Sequence, residues 1–369
     1  MIITKEILNL NFSYPLEQHF PLDKLLFFDI ETTGFSYKTS QLYLIGCIFF
    51  QKGCWTLKQW FSESKEDEKE LLLSFYDFSR EYSIWVHFNG DSFDFPYLTG
   101  KYRQHHLDIP YQNITSLDLY KKISPYKKLL KLDSLKQADL EKYLQIHRKD
   151  PFHGGELISL YKEYIHRPDD ALQKVLLLHN HEDLLGLTSL TSILSYYDFF
   201  HGTFTLNNIR LEEAIDYQQQ MQYDLIIDLN CAAPIPILFS FERDRIYISG
   251  KKYSIKLKIR LYTGTLKYFY SNYKDYYYLP KEDTALHKSV ASYVDKEYRI
   301  QAKAHTCYGK RSGCFLPQYH AFHAPAFQVE YKESVTFFEY QEDAFQNIDF
   351  LKSYILHLLS YIVNPKRRS

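Results

Sequence analysis

Apolar residues in the first half of the chain fall into short runs, and the bounds of those runs predict its elements. Residues 25–31 and 41–50 read as strands, and 53–61 as a third. Gln51-Lys52-Gly53 supplies the turn that joins the last two into a hairpin. Residues 65–80 start acidic and then repeat apolar positions at helical spacing, which predicts a helix. A short strand at 82–87, a helix at 95–106 and a strand at 114–118 follow. A basic helical stretch runs through 149, and a long helix spans 168–198 with Pro168 near its start. Strands first, then strands alternating with helices, predict an α/β fold: a mixed sheet with helices packed on it.

The pattern changes after about residue 205. Residues 235–279 are strand-rich, with turns expected at Ser249-Gly250 and Thr263-Gly264. Helices are expected at 284–303 and 343–363, and the Gly-, Pro-, His- and Cys-rich piece at 305–327 reads as ordered loop. The predicted organisation is one domain at 1–205 and a smaller α+β domain at 206–369. Within the second, Ile255 to Leu261 alternates apolar and basic, setting Lys256, Lys258 and Arg260 on one strand face. With Tyr253, Tyr262, Tyr268, Tyr270 and Tyr273 nearby, that face has the chemistry to neutralise and stack a single strand. An edge strand guarded against aggregation carries the same pattern.

The chain has 369 residues, room for about two domains. Net charge is −1, so any contact with nucleic acid must come from local patches and not from a global field. One such patch is 121–149, where nine Lys or Arg face three acids: Lys121, Lys122, Lys127, Lys128, Lys131, Lys136, Lys142, Arg148 and Lys149. These residues suit phosphate tracking; a solvated helix face has the same composition. Five scattered cysteines speak against a disulfide framework. With no signal-peptide pattern and no apolar run of about 20 residues, the expected setting is cytoplasmic, with no membrane contact. His305, Cys307, Cys314, His320 and His323 crowd together, but Cys-x6-Cys-x5-His-x2-His is not a familiar zinc spacing, and no zinc is expected. A loop with a basic tip at Gly309-Lys310-Arg311-Ser312-Gly313 is expected there instead.

The candidate chemistry begins with Leu25-Leu-Phe-Phe-Asp29-Ile-Glu31-Thr32-Thr-Gly34. Strand side chains alternate faces, so Asp29 and Glu31 point the same way. Two such carboxylates on a core strand repel each other and resist desolvation, which a divalent cation would relieve. A second carboxylate site is Asp94, after the Asn89-Gly90 turn and where a helix N-cap is expected. On the long helix His179 and Asp183 are four apart and share a face, which Leu176 helps to turn toward the sheet; His181 and Glu182 are expected to be solvated. Taken singly, these are also what strand-end acids, a helix cap and a polar helix stripe look like.

Together the motifs resemble the DEDD superfamily of 3′→5′ exonucleases over about residues 20–200. Phe-Asp29-Ile-Glu31-Thr-Thr-Gly is similar to the first motif, Asn89-x-x-x-Phe93-Asp94-x-Pro96 to the second, and His179-x-x-x-Asp183 to the third. Tyr43-Leu-Ile-Gly46, Leu117-Asp118-Leu119 and Leu-Leu-His179-Asn-x-x-Asp183 resemble the YprB-type ribonuclease H-like family more narrowly. The resemblance implies a ribonuclease H-like fold and hydrolysis of single-stranded DNA or RNA from its 3′ end, with two Mg²⁺ or Mn²⁺ ions. It implies that Asp29 bridges both ions and that Glu31 and Asp183 serve the ion holding the attacking water. Asp94 would serve the second ion, and His179 would accept the proton. The four-residue His179–Asp183 spacing belongs to the Tyr-containing branch, whereas His-containing members usually have five. Thr32 and Asn89 are candidate substrate contacts and Asp118 a candidate support for the site. The alternative class is a nucleic-acid-binding module on a nuclease fold that has lost turnover. Protein partners are not indicated.

Overall fold

The early apolar runs pair into one sheet in the computed structural model, which describes residues 1–148, 154–215, 219 and 221–364. The strands are β1 (Ile2–Leu8), β2 (Leu25–Thr32), β3 (Leu42–Gln51), β4 (Cys54–Phe61), β5 (Ile84–His87) and β6 (Thr115–Asp118). They form a six-stranded sheet in the order β1-β4-β3-β2-β5-β6. β2 pairs antiparallel with β3 and parallel with β5, so the sheet is mixed. The accompanying helices are α1 (Leu16–His19), α2 (Glu68–Ser79), α3 (Asp94–Gln104), α4 (Leu119–Ile123), α5 (Gln137–Tyr143), α6 (Gly154–His166), α7 (Asp170–Leu190) and α8 (Leu194–Phe200). This is a ribonuclease H-like arrangement, with β1 added at one edge.

Two apolar layers hold it. Leu26, Phe28 and Ile30 of β2 pack with Leu71, Leu72 and Phe75 of α2 and with Tyr97, Leu98 and Tyr102 of α3. A second cluster joins Tyr43, Leu44 and Phe61 to Leu157, Tyr161 and Tyr164 of α6 and to Leu176 of α7. Alternation on β2 therefore commits Leu26, Phe28 and Ile30 to the first cluster and leaves Asp29 and Glu31 on the other face. That face receives α7, which runs across β2 and β3.

Several expectations need correction. The sequence reading placed no element at Ile2–Leu8, yet β1 pairs along its whole length with β4. Such an edge strand has too little alternation to be read without its partner. The basic stretch through 149 is not one helix: α4, a 3-10 turn at Ser124–Tyr126 and α5 divide it. Pro125 sits in that turn, where it suits the first positions of a helix but not the interior of one. Lys149 lies outside the described residues. The long helix ends at Leu190 and continues as a 3-10 turn and α8.

The chain divides into two compact units, Met1–Tyr197 with Ala233–Leu238, and Asp198–Ala232 with Phe239–Ser369. The second is β-rich: β7 (Phe204–Ile215), β8 (Met221–Arg243), β9 (Ile246–Arg260), β10 (Tyr262–Phe269), β11 (Tyr276–Leu279), β12 (Thr284–His287), α9 (Lys288–Ala291), β13 (Ile300–Gln301), β14 (Tyr308–Gln318), β15 (Thr336–Glu339) and α10 (Ile348–Val363). The expected turns at 249–250 and 263–264 are absent, because β9 and β10 run through them. Gly250 is small to pass the Phe239 ring, and Gly264 has φ +145° inside its strand. The expected helix at 284–303 is two short strands around the single turn of α9. The middle of the expected loop at 305–327 is β14, whose Gly309–Gly313 segment pairs with β10 instead of forming a tip.

Gly46 of β3 controls how closely α7 lies on the sheet. A Cβ there would collide with Asn180 Oδ1 and Leu184 Cδ1 of α7. Gly46→Ala is expected to destabilise the protein by roughly 1–3 kcal/mol in urea unfolding. Gly155→Ala, where a Cβ meets nothing within 4 Å, should stay within about 0.5 kcal/mol of wild type. Equal effects at the two positions would refute the tight contact.

Candidate active site

Asp29 lies opposite Gly46 in the β2–β3 ladder, and the register slips between Glu31 and Thr32. Asn180 of α7 fills the space over Gly46. Its Nδ2 donates to Asp29 Oδ2 at 2.9 Å, and its Oδ1 accepts from Gln59 Nε2 at 3.0 Å. Gln59 also donates to the Leu177 carbonyl at 2.9 Å, so β4 fixes the amide that holds Asp29. One turn of α7 then sets His179 and Asp183 on the same side. His179 Nε2 is 3.2 Å from Asp183 Oδ2 and 3.7 Å from Glu31 Oε1. Ligand-type atoms of Glu31, His179 and Asp183 lie within 4.8 Å of one another.

Asp94 opens α3, with Phe93 at the cap position, so it is a first-turn residue and not the cap expected from the sequence. The turn before it is tightly held. Asn89 takes a left-handed φ of 61°, which Asn tolerates better than most residues. Its N–H donates to Asp118 Oδ1 at 2.9 Å, and Gly90 N–H donates to His87 Nδ1 at 3.0 Å. Asp118 also caps α4, accepting from Tyr120 N–H at 3.0 Å. Its Oδ2 is buried with no hydrogen-bond partner.

His87, Asp91 and Asp118 form a second close group of metal-type side chains. Since His87 Nδ1 accepts a backbone N–H, its Nε2 carries the proton and donates to Ser116 Oγ at 2.8 Å. Ser116 in turn donates to Asp91 at 2.6 Å, and Asp91 holds Lys121 Nζ at 2.5 Å. Both imidazole nitrogens are thus committed within the protein, and the group braces the turn that carries Asp94.

Electrostatics separate the acids. Burial, reinforced by the charges of Asp183, Glu31 and Asp94, pushes Asp29 well above the usual carboxylate range against the Asn180 hydrogen bond. Burial, with a further push from Asp118, carries Asp94 up to about 7. Burial also opposes the charge on Asp183, but His179 and Arg148 outweigh it and the net shift is downward. The donor set is three close oxygen and nitrogen ligands beside two strained carboxyls, which fits a hard divalent cation.

Of the basic candidates, Lys128 and Lys131 are exposed and Lys127 is half-buried. Lys122 stacks on Tyr197 with Nζ 3.8 Å from the ring centroid. Lys256, Lys258 and Arg260 do alternate with buried Ile255, Leu257, Ile259 and Leu261. Lys258 and Arg260, however, both bind the buried Asp224, at 2.7 and 3.1 Å. Thr32 Oγ1 donates to the Gly34 carbonyl at 2.9 Å. His181, expected to be solvated, is half-buried with Nε2 3.4 Å from Glu6. Cys307 is buried with Ala285 and Ala302, and the two groups of close metal-type side chains among the described residues do not include it.

Three residues escaped the sequence reading. Asn180 stood in the third motif without a role; its signal was a polar residue beside His179 on the buried face. Gln59 is the polar break in the apolar β4. Arg148 was read as part of a general basic patch, but its Nη1 reaches Asp183 Oδ1 at 2.5 Å.

A model of the RNase_H superfamily matches residues 26–195. The match spans β2 to α7, the part of the chain whose sheet order is ribonuclease H-like. No curated protein matches the sequence. Among solved structures, a family B DNA polymerase from the hyperthermophilic archaeon Pyrobaculum calidifontis is similar at 12% identity and TM-score 0.36, covering 69% of this chain and 36% of its own. E. coli exonuclease I with a dT13 oligonucleotide is similar at 9% identity and TM-score 0.33, with 56% and 54% coverage. A product-bound exonuclease I gives 10% and 0.34, with 62% and 58% coverage. The chain thus spans between about a third and three fifths of these proteins, and likenesses this remote define neither fold nor function.

The raised Asp94 predicts a pH signature. A carboxyl near 4 when unfolded and about 7 when folded favours the folded state below pH ~4 and loses that contribution as pH rises to ~7. Asp94→Asn removes the term. In EDTA the variant should therefore gain on wild type by roughly 2–4 kcal/mol between pH 4.5 and 7.5 in urea unfolding. A difference that does not change with pH would refute the shift.

Proposed function

We propose that this protein is a divalent-metal-dependent 3′→5′ exonuclease acting on single-stranded DNA or RNA. The observation that carries this reading is the set of carboxylates around Asp29, with Glu31, His179 and Asp183 within 4.8 Å of one another. Asp29, Glu31, Asp94 and Asp183 would hold two Mg²⁺ or Mn²⁺ ions, for which oxygen-rich donors are suited. When bound, such ions lower the pKa of water and stabilise charge on the leaving oxygen.

The chain's own residues supply the rest. Asn180 fixes one oxygen of Asp29 and leaves the other for a ligand. His179 would take the proton from the attacking water, and Asp183, 3.2 Å from its Nε2, would stabilise the resulting cation. The water oxygen bonds to phosphorus as the bond to the 3′ oxygen of the shortened strand breaks. The products are a nucleoside 5′-monophosphate and a strand ending in a 3′-hydroxyl, which takes its proton from solvent. Asp118 acts through Asn89, whose N–H it holds, on the turn that presents Asp94.

Thr32 and Asn89 flank the carboxylates and are assigned to the strand terminus. Lys127, Lys128 and Lys131 would follow the phosphates. Lys256 joins this reading more readily than Lys258 and Arg260, whose charges are engaged by Asp224. The domain assignment, 1–205 for catalysis and 206–369 for positioning substrate, belongs to the same proposal. So does a reducing, cytoplasmic setting, which the five free cysteines support. No helix among the described residues is long and apolar enough to cross a membrane.

Oligonucleotides labelled at the 5′ end and incubated with Mn²⁺ should yield a ladder shortened stepwise from the 3′ end. Asp29→Ala/Asp183→Ala should slow this by roughly 10³-fold or more. Absence of 3′ shortening, or an unchanged rate in the double variant, would sink the proposal. Binding without cleavage would select a module that has lost turnover.

A further inference from the structure

Arg148 touches the candidate site but has no part in the reaction as drawn above. Its setting is built from α5. Glu141 of α5 has a side-chain exposure of 1% and sits against Gly186 of α7, where any Cβ would collide with its Oε1. Gln137, one turn earlier, donates Nε2 to Glu141 Oε1 at 3.0 Å and to the Asp183 carbonyl at 2.8 Å. These contacts stitch α5 to α7 beside Asp183. Glu141 then grips Arg148 at two points, Oε2 taking Nε and Oε1 taking Nη2 at 2.6 Å. That fork leaves Nη1, which binds Asp183 Oδ1 at 2.5 Å.

Asp183 therefore serves two sides. Its Oδ2 faces His179 and the close group with Glu31, and its Oδ1 holds a guanidinium. A divalent cation in that group and Arg148 would share one carboxylate, and their like charges oppose each other. Arg148 cannot withdraw far, since a buried Glu141 without its partner is strongly unfavourable. It can, however, offer Nη1 to another anion, and phosphate oxygens match a guanidinium well.

We propose that Arg148 couples the two ligands of this site: it weakens cation binding at Asp183 until a phosphate takes its Nη1, so that divalent metal and the terminal phosphate of the strand bind cooperatively. This rests on the exonuclease reading. Coupling of this kind is reciprocal, and each ligand tightens the other by the same factor. The pair with Glu141 adds no net charge, so it acts through the direction of Nη1 and not through the overall field.

The test is Mn²⁺ binding, followed by electron paramagnetic resonance of free Mn²⁺, with and without thymidine 5′-monophosphate. The double variant Glu141→Gln/Arg148→Met removes the guanidinium without stranding a buried charge. It should bind Mn²⁺ alone about tenfold more tightly than wild type, and its nucleotide-induced tightening should be about tenfold smaller. Arg148→Lys keeps the charge but lacks the fork, and should also lose most of the coupling. A merely structural role would weaken Mn²⁺ binding instead. Wild-type Mn²⁺ affinity, or weaker, in the double variant overturns the proposal, as does undiminished coupling in both variants. If Asp29→Asn abolishes Mn²⁺ binding while these variants behave as wild type, this inference alone fails. If wild type binds no Mn²⁺, the exonuclease reading fails with it.

Discussion

The candidate site depends on how closely α7 can lie against the sheet. One glycine sets that distance, and a second sets how closely α5 lies on α7. At Gly46 the missing Cβ admits Asn180, which reaches Asp29; at Gly186 it admits Glu141, which holds Arg148. A larger residue at Gly46 would lift the helix, and His179 and Asp183 would move away from Glu31 with it. The sheet contributes Asp29 and Glu31, but they meet their counterparts only because backbone replaces side chain at the crossing.

Close approach brings an electrostatic cost. Two buried carboxylates elsewhere in the fold are well supplied with donors. Glu68 accepts the Leu42 N–H at 2.7 Å, Lys101 at 2.8 Å and His105 at 2.9 Å. Asp224 is held by Lys258 and Arg260. Asp29 receives one amide hydrogen bond and three repelling neighbours. Acids left so short of donors are a local departure from the rule that buried charge is paired. Such departures concentrate where the missing partner is a ligand, and the oxygen donors gathered here could hold a hard cation.

The strands and the three motifs were legible because they rest on short-range signals: apolar runs, period-two alternation, turn residues and the four-residue helical repeat. Asp29 and Glu31 could be placed on one face from alternation alone. What sequence could not supply was pairing over distance. β1 is defined only by β4, and β14 hides behind glycines and charges that read as loop until β10 lies beside it. The same limit hid Asn180, Gln59 and Arg148, each of which gains its meaning from a residue far along the chain. The basic residues show the same limit. Composition counts charges, whereas Lys121, Lys258, Arg260 and Arg148 are already engaged by Asp91, Asp224 and Glu141.

The His179–Asp183 spacing acquires a physical sense from this geometry. On an α-helix each residue turns about 100°, so a spacing of four stacks two side chains on one face. His179 and Asp183 use that register to bond directly, while Glu31 approaches the same Nε2 from the sheet. One more residue between them would swing the imidazole about 100° further around α7, off the face that meets β2. A histidine in this continuous helix can join the carboxylates only at the shorter spacing. The four-residue interval is then a consequence of carrying both groups on one unbroken helix, and it ties His179 to the acids around it.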